Sequence, residues 1–327
     1  MPPLRLALLG TGVAARKLYA PALTRARAHV RLVACANRTR SKAEAFAAET
    51  GCPKVVADAR ALFALPEVEA VLISLPIELQ PAFVLKALAA NKAVLSEKPV
   101  APSLAAGRRL LKRHLDAKSP RTPVWMVAEN YAFMPPLLWA ERQIARRSLG
   151  DLRLVEVRQS GWTDASNPYF HTSWRRDARF VGGFVTDAGV HLAHCLRRLV
   201  GPPTGICGST AQFNPELKPI DSAVAALRFA NGALGTWMSC FSTGAGGPML
   251  ALRGALASLE LYPQRCVLKT RGGKETVFES PADTYALQFA RFAEAVQKNK
   301  NNPYPPEQAL ADLAVVEGVV RGRVLKP

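Results

Sequence analysis

No uninterrupted apolar run in this 327-residue chain approaches the roughly twenty residues that a bilayer span needs, so no membrane association is expected. A secretory leader is not expected either. Met1-Pro2-Pro3-Leu4-Arg5 leads almost at once into a strand pattern, and the protein is expected to be cytoplasmic. The six cysteines (Cys35, Cys52, Cys195, Cys207, Cys240 and Cys266) form no C-x-x-C and no His/Cys spacing. That argues against a zinc motif and a disulfide framework; no metal is assigned, and the thiols read as reduced and mostly buried. Acidic residues are scarce. None occurs between Met1 and Arg40, where Arg5, Arg16, Lys17, Arg25, Arg27, Arg31, Arg38 and Arg40 are all basic, a field that concentrates a polyanionic small molecule. The net charge of +18 raises nucleic acid as a partner. The cations are dispersed over helical stretches such as Arg108, Arg109, Lys112 and Arg113, with no interleaved aromatic motif and no basic tail, so no nucleic acid is expected.

Hydrophobic residues at 49% and charged residues at 21% describe an ordinary globular protein, and the length suits two domains. Leu4 to Leu9 reads as a buried strand running into Gly10-Thr11-Gly12-Val13-Ala14-Ala15 and then a helix to about Arg27. G-x-G-x-x-A between strand and helix lets backbone N–H groups approach a pyrophosphate, which assigns Gly10, Thr11, Gly12, Val13 and Ala14 to a dinucleotide cofactor. The next strand, Val30 to Ala36, ends at Asn37-Arg38-Thr39-Arg40-Ser41, without the Asp or Glu that grips a ribose 2′-hydroxyl. Arg38 is a planar, permanent cation suited to a 2′-phosphate, with Asn37 and Thr39 beside it, so the cofactor is predicted to be NADP(H).

Further strands at Lys54 to Val56, Ala70 to Pro76, Ala93 to Ser96 and Val124 to Ala128 alternate with helices. This predicts an α/β fold whose first domain, residues 1–128, is a doubly wound parallel sheet, with Ser74, Leu75 and Pro76 at the cofactor. From residue 129 the periodicity changes. Strand-like runs between Leu152 and Phe278, separated by turns such as Asn231-Gly232 and Gly272-Gly273, predict an α+β domain over 129–327 with one large, open, mainly antiparallel sheet. Its second face is expected to be covered in a homodimer or homotetramer.

Two stretches carry candidate chemistry. Ala93-Val94-Leu95-Ser96-Glu97-Lys98-Pro99 delivers a carboxylate and an amine at the carboxyl end of a buried strand, where an open α/β sheet keeps its ligand crevice. A lysine there, near a glutamate and partly screened from water, can serve in proton transfer. In the second domain Asp187 and His191 stand at i and i+4 on one helical face, and an imidazole suits the same task. His194 is the weaker candidate and reads as a packing residue.

The ordered set Gly10 to Ala15, Glu97-Lys98-Pro99, Ala128-Glu129-Asn130-Tyr131, Thr172-Ser173-Trp174-Arg175 and Gly182 to His191 resembles the Gfo/Idh/MocA oxidoreductases, the glucose-fructose oxidoreductase and inositol dehydrogenase family, over essentially the whole chain. The resemblance implies an N-terminal Rossmann domain, a C-terminal α/β substrate domain and hydride transfer at a nicotinamide. It makes Lys98 and His191 the proton-handling pair, with Asp187 orienting or binding substrate and the bond before Pro99 cis. It places Glu97, Asn130, Trp174 and Arg175 near the cofactor, the last two reaching for its nicotinamide end, and Tyr131 in the substrate cleft. Trp162, Phe170 and His171 are expected over the substrate. The details look most like the fungal and plant branch that uses NADP(H). Two departures stand out: His194 replaces an Asp common in polyol-oxidising members, and Gln80 replaces a common His. The expected function is NADP(H)-dependent hydride transfer to or from a sugar, polyol or related small carbonyl compound. The alternative is a low-turnover NADPH-binding redox sensor or regulator. No spacing in the chain identifies the substrate.

Overall fold

Strands buried on both faces must be apolar throughout, and that pattern defines the first sheet. In the computed structural model, which describes residues 1–120, 122–177, 180–298, 302–324 and 326, five strands form one parallel sheet. They are β1 (Leu4–Leu9), β2 (Val30–Ala36), β3 (Ala70–Ile73), β4 (Ala93–Ser96) and β5 (Trp125–Val127), in the order β2-β1-β3-β4-β5. Every residue of β3, β4 and β5 is buried. A π-helical turn, Ala15–Tyr19, leads into α1 (Ala20–Arg25); α2 (Arg40–Thr50), α3 (Ala59–Ala64), α4 (Gln80–Ala89) and α5 (Leu104–Asp116) supply the crossovers. Chain direction across the sheet reverses at β1, so the carboxyl ends of β1 and β3 flank the switch point where such sheets bind ligands.

The strand expected at Lys54 to Val56 is reduced to a single parallel bridge between Cys35 and Val55. Pro53 has no N–H to extend the ladder, and only the Cys35 N–H to Lys54 O (2.9 Å) and Val56 N–H to Cys35 O (3.0 Å) bonds form.

The chain divides into two compact units, Met1–Asn130 with Asp283–Ala309 and Tyr131–Ala282 with Leu310–Pro327. A division at 128/129 with everything downstream in the second domain therefore misses one return. Helix α8 (Thr284–Gln297) belongs with the first unit for readable physical reasons. Asp283 caps α8 and pairs with Arg25. Tyr285 and Phe289 pack edge-on against Tyr19, and the Val127 N–H bonds Tyr304 O at 3.1 Å.

The second unit is built on an eight-stranded sheet ordered β13-β12-β11-β10-β6-β9-β8-β7. Its strands are β6 (Leu152–Ser160), β7 (Pro203–Ala211), β8 (Ser222–Phe229), β9 (Leu234–Cys240), β10 (Leu250–Gly254), β11 (Ala257–Leu261), β12 (Arg265–Thr270) and β13 (Glu275–Glu279). All neighbours are antiparallel except β6 and β9. Helices α6 (Pro135–Ala145), α7 (Gly183–Leu199) and most of α9 (Pro306–Val320) complete the unit. In β8 burial alternates with the pleat, leaving Val224 exposed, and Leu154 of β6 lies in register with Leu234 of β9, both about half exposed. Among the described residues no helix is long and apolar enough to cross a membrane. Among the described residues none of the six cysteines forms a disulfide, and four of them are buried.

Candidate active site

At the switch point the chain leaves β1 through Gly10, whose φ of +98° disfavours any other residue. A Cβ there would fall 2.2 Å from Ser74 O, so the turn can press against the end of β3 only as glycine. Over Gly12 an added Cβ meets nothing within 4 Å, which leaves its backbone open to an approaching group. The Thr11 N–H donates to Asn37 Oδ1 (3.3 Å) and Asn37 Nδ2 to Thr39 O (3.1 Å), tying the glycine turn to the end of β2. Thr11 Oγ1 is buried with no hydrogen-bond partner among the described residues. An open glycine backbone, an orphaned hydroxyl and the first amides of a helix, which have no intrahelical acceptor, fit a dinucleotide pyrophosphate.

Beyond β2, Arg40 is engaged by Glu44 (2.8 Å), whereas Arg38 is exposed with no hydrogen bond or ion pair among the described residues. Ser74 and Leu75 are half-buried and Pro76 is exposed. At the end of β4, the Glu97 N–H bonds Ile73 O at 3.0 Å and the Ala128 N–H bonds Ser96 O at 2.7 Å, so flanking strands fix this backbone from both sides. Glu97 and Lys98 are half-buried, and the Lys98–Pro99 bond is cis, as the resemblance implies. Asn130 is buried, with Nδ2 donating to Thr284 Oγ1 (2.7 Å).

In the second unit α7 starts at two glycines in the left-handed region, Gly182 (φ +83°) and Gly183 (φ +49°). A Cβ on Gly183 would come within 2.8 Å of Arg175 O and 2.9 Å of Lys218 O, so glycine lets two loops close over the start of the helix. One turn in, Asp187 accepts from Arg175 Nε at 2.8 Å, both side chains nearly buried. Arg175 also donates from Nη1 to Thr172 Oγ1 (2.9 Å) and lies over the rings of Trp174 (4.1 Å) and Tyr169 (4.7 Å). A further turn along, His191 is half-buried and stacks on Tyr131, ring centres 4.5 Å apart.

Arg175, expected near the cofactor, has its guanidinium nearly buried and engaged by Asp187, and it lies in the short turn Ser173–Arg176 ahead of α7. Phe170, expected over the substrate, packs in a small core with Phe184 and Leu217, where an apolar ring gains from burial. Trp162 (65% exposed, Nε1 to Asp164 at 3.1 Å) and His171 (edge-on to Phe170) remain accessible, and Trp174 leans on Phe180. His194 does pack internally, with Nδ1 3.4 Å from Asp312 Oδ2. Sequence reasoning passes over Tyr19, whose hydroxyl bonds Glu97, and Thr172, which holds Arg175. Their partners lie 78 and 3 residues away, and only the i+3 pairing leaves a local signal. Among the described residues no group of three His, Cys, Asp or Glu side chains is arranged to hold a metal ion.

With this geometry in view, comparison with known proteins decides the family. The model described as an oxidoreductase family NAD-binding Rossmann fold matches residues 4–119, and its companion C-terminal alpha/beta domain matches 141–323. The chain belongs to the Gfo/Idh/MocA oxidoreductases. A relative in this family, a dehydrogenase of Fusarium mangiferae, is 29% identical over 96% of the chain and 95% of its own length. The crystal structure of an oxidoreductase from Thermotoga maritima is 31% identical, covers 98% of this chain and 96% of that one, and superposes with a TM-score of 0.90. The WlbA dehydrogenase from Bordetella pertussis, solved with NADH and UDP-GlcNAcA, shares the Gfo/Idh/MocA fold at 20% identity, with 99% of each chain covered and a TM-score of 0.82. As a member of this family the chain is an oxidoreductase that binds a nicotinamide dinucleotide through its first unit.

Proposed function

We propose that the chain is a cytoplasmic, NADP(H)-dependent oxidoreductase that moves a hydride between the nicotinamide and a sugar, polyol or related small carbonyl compound. The observation that carries the cofactor choice is Arg38, an exposed guanidinium at the end of β2 that nothing among the described residues engages, in a segment without an acid. It suits a 2′-phosphate, while an Asp or Glu at that place would repel one. The backbone from Gly10 to Ala14 would hold the pyrophosphate, Asn37, Arg38 and Thr39 the phosphorylated ribose, and Ser74, Leu75 and Pro76 the wall of the crevice. NADP(H), when bound, supplies the hydride donor or acceptor.

The chain's own residues do the rest. Lys98 and His191 hold or move the hydroxyl proton and stabilise the developing oxyanion. Asp187, anchored by Arg175, orients substrate and sets the start of α7, from which His191 projects one turn later. Sugars among the ligands of similar proteins, such as UDP-GlcNAcA on the Bordetella pertussis dehydrogenase, support the substrate class. The exposed apolar face around Leu154, Val224 and Leu234 supports a homodimer or homotetramer through the C-terminal sheet.

The test is a screen of NADPH oxidation and NADP reduction against aldehydes, ketoses, dicarbonyls, aldoses and polyols, with Lys98→Ala as the blank. Turnover should fall by orders of magnitude in that variant, with cofactor affinity nearly unchanged. Arg38→Ala should weaken NADPH about 10- to 100-fold and NADH far less, the worth of a charge-assisted phosphate contact. Normal turnover in Lys98→Ala, or equal losses for both cofactors in Arg38→Ala, overturns the corresponding part. Tight NADPH binding without turnover points to the sensor alternative.

A further inference from the structure

We propose that Tyr19 is a positioning residue for Lys98, acting through Glu97, and that it ties the reactive strand end to the helix that opens at the glycine turn. The inference rests on the reading of Lys98 as a proton-handling group. Tyr19 is 1% exposed, yet its hydroxyl donates to Glu97 Oε1 at 2.7 Å. The other carboxylate oxygen, Oε2, accepts the N–H of Lys98 at 3.2 Å. Glu97 is therefore a two-sided bridge, holding the first helix with one oxygen and the backbone of Lys98 with the other.

Packing alone does not require this hydroxyl. The Tyr19 ring sits edge-on against Tyr285 and Phe289, with both centroids 5.9 Å away, and a phenylalanine would keep both contacts. The hydroxyl adds a charge-assisted bond to a half-buried carboxylate. Tyr19 closes the π-helical turn Ala15–Tyr19, and one extra residue in a turn rotates the downstream residues by about 100° around the axis, aiming the phenol at the strand end. The same helix begins at the turn that fits a pyrophosphate, so any adjustment on cofactor binding passes to Lys98 through two hydrogen bonds.

The experiment reads Lys98 directly and needs no substrate. Full-length protein, with and without NADPH, is labelled by trace acetic anhydride, and Lys98 acetylation is measured by mass spectrometry against the exposed Lys86 as internal reference. NADPH affinity is followed separately by its fluorescence. Tyr19→Phe should change the relative labelling rate of Lys98 about threefold or more while leaving the NADPH Kd within about twofold, and Glu97→Gln should shift Lys98 in the same direction. Lys98 labelling unchanged in both variants overturns the proposal. So does a Tyr19→Phe variant that loses NADPH binding along with its fold, since the hydroxyl then serves the scaffold. Full turnover in Lys98→Ala with altered Lys98 labelling in Tyr19→Phe would sink the functional reading and leave this one standing.

Discussion

Replacing Arg175 by methionine would take the guanidinium away from the almost buried Asp187. The pair is closed by a 2.8 Å contact, with side chains only 10% and 13% exposed. Removing one member of a buried pair costs about 3–5 kcal/mol, and the residual exposure places this case near the lower figure. Losing the guanidinium over Trp174 and Tyr169 adds about 0.5–1 kcal/mol, partly offset by the apolar thioether. The sum of about 3–4 kcal/mol lowers the unfolding midpoint of this unit by roughly 6–16 °C. Urea unfolding followed by tryptophan fluorescence measures it, beside the double variant Arg175→Met/Asp187→Leu, which should regain more than half of the loss because the carboxylate leaves together with its guanidinium partner. A single-variant cost below about 1 kcal/mol would mean that the pair behaves as a solvated one. A drop of about tenfold or more in NADPH affinity at unchanged stability would mean instead that the guanidinium reaches the cofactor, and the reasoning would be refuted.

Three other outcomes are expected. Burial against Trp125 holds the His114 imidazole below its ordinary range, with Glu307 opposing and Lys118 assisting. The unfolded chain therefore takes up the proton first, stability is lost as pH falls below about 6.5, and thermal melts between about pH 7 and pH 5 should decline more steeply in wild type than in His114→Leu. Burial pushes the Asp221 carboxyl up, but bonds from Ser242, the Asn214 and Phe213 N–H groups and Ser222 outweigh it and hold it low. Its contribution is present above about pH 3.9 and lost in stronger acid, so Asp221→Ala should cost about 2–4 kcal/mol at neutral pH in a denaturant titration and flatten the acid limb. Leu234→Glu puts a charge beside Leu154 on the exposed sheet face, and light scattering should then report a smaller species than wild type; an unchanged mass would remove this face from the proposed interface.

The features legible in the sequence are local ones. Alternating strands with Gly turns, as in β8, Asn231-Gly232 and β9, announce their hairpin because period and turn chemistry agree within a dozen residues. The glycine turn is legible for the same reason: Gly10 must be glycine for a close approach that happens one strand away. The return of α8 to the first unit is not legible. The apolar stripe of α8 fits any sheet, and its choice depends on Arg25, Tyr19 and Val127, all more than 150 residues upstream. The pairing of Arg175 with Asp187 is not legible either, because residue type fixes a cation's chemistry and not its direction. Nor is the packing of Phe170 legible, because an aromatic among polar residues looks like a ligand wall and only the fold brings Phe184 and Leu217 against it.

That late return also has a meaning for synthesis. Met1–Asn130 leaves the ribosome with all five strands of its parallel sheet, yet Asp283–Ala309 is still about 150 residues from being made. At translation rates of about 5–20 residues per second the wait is roughly 8–30 s. During it Tyr19 has no Tyr285 or Phe289 to lean on, Arg25 no Asp283, and the end of β5 no Tyr304. The nucleotide-binding half is thus the first to emerge and cannot be the first to finish, and the nascent chain carries an apolar surface that only its own distant continuation covers.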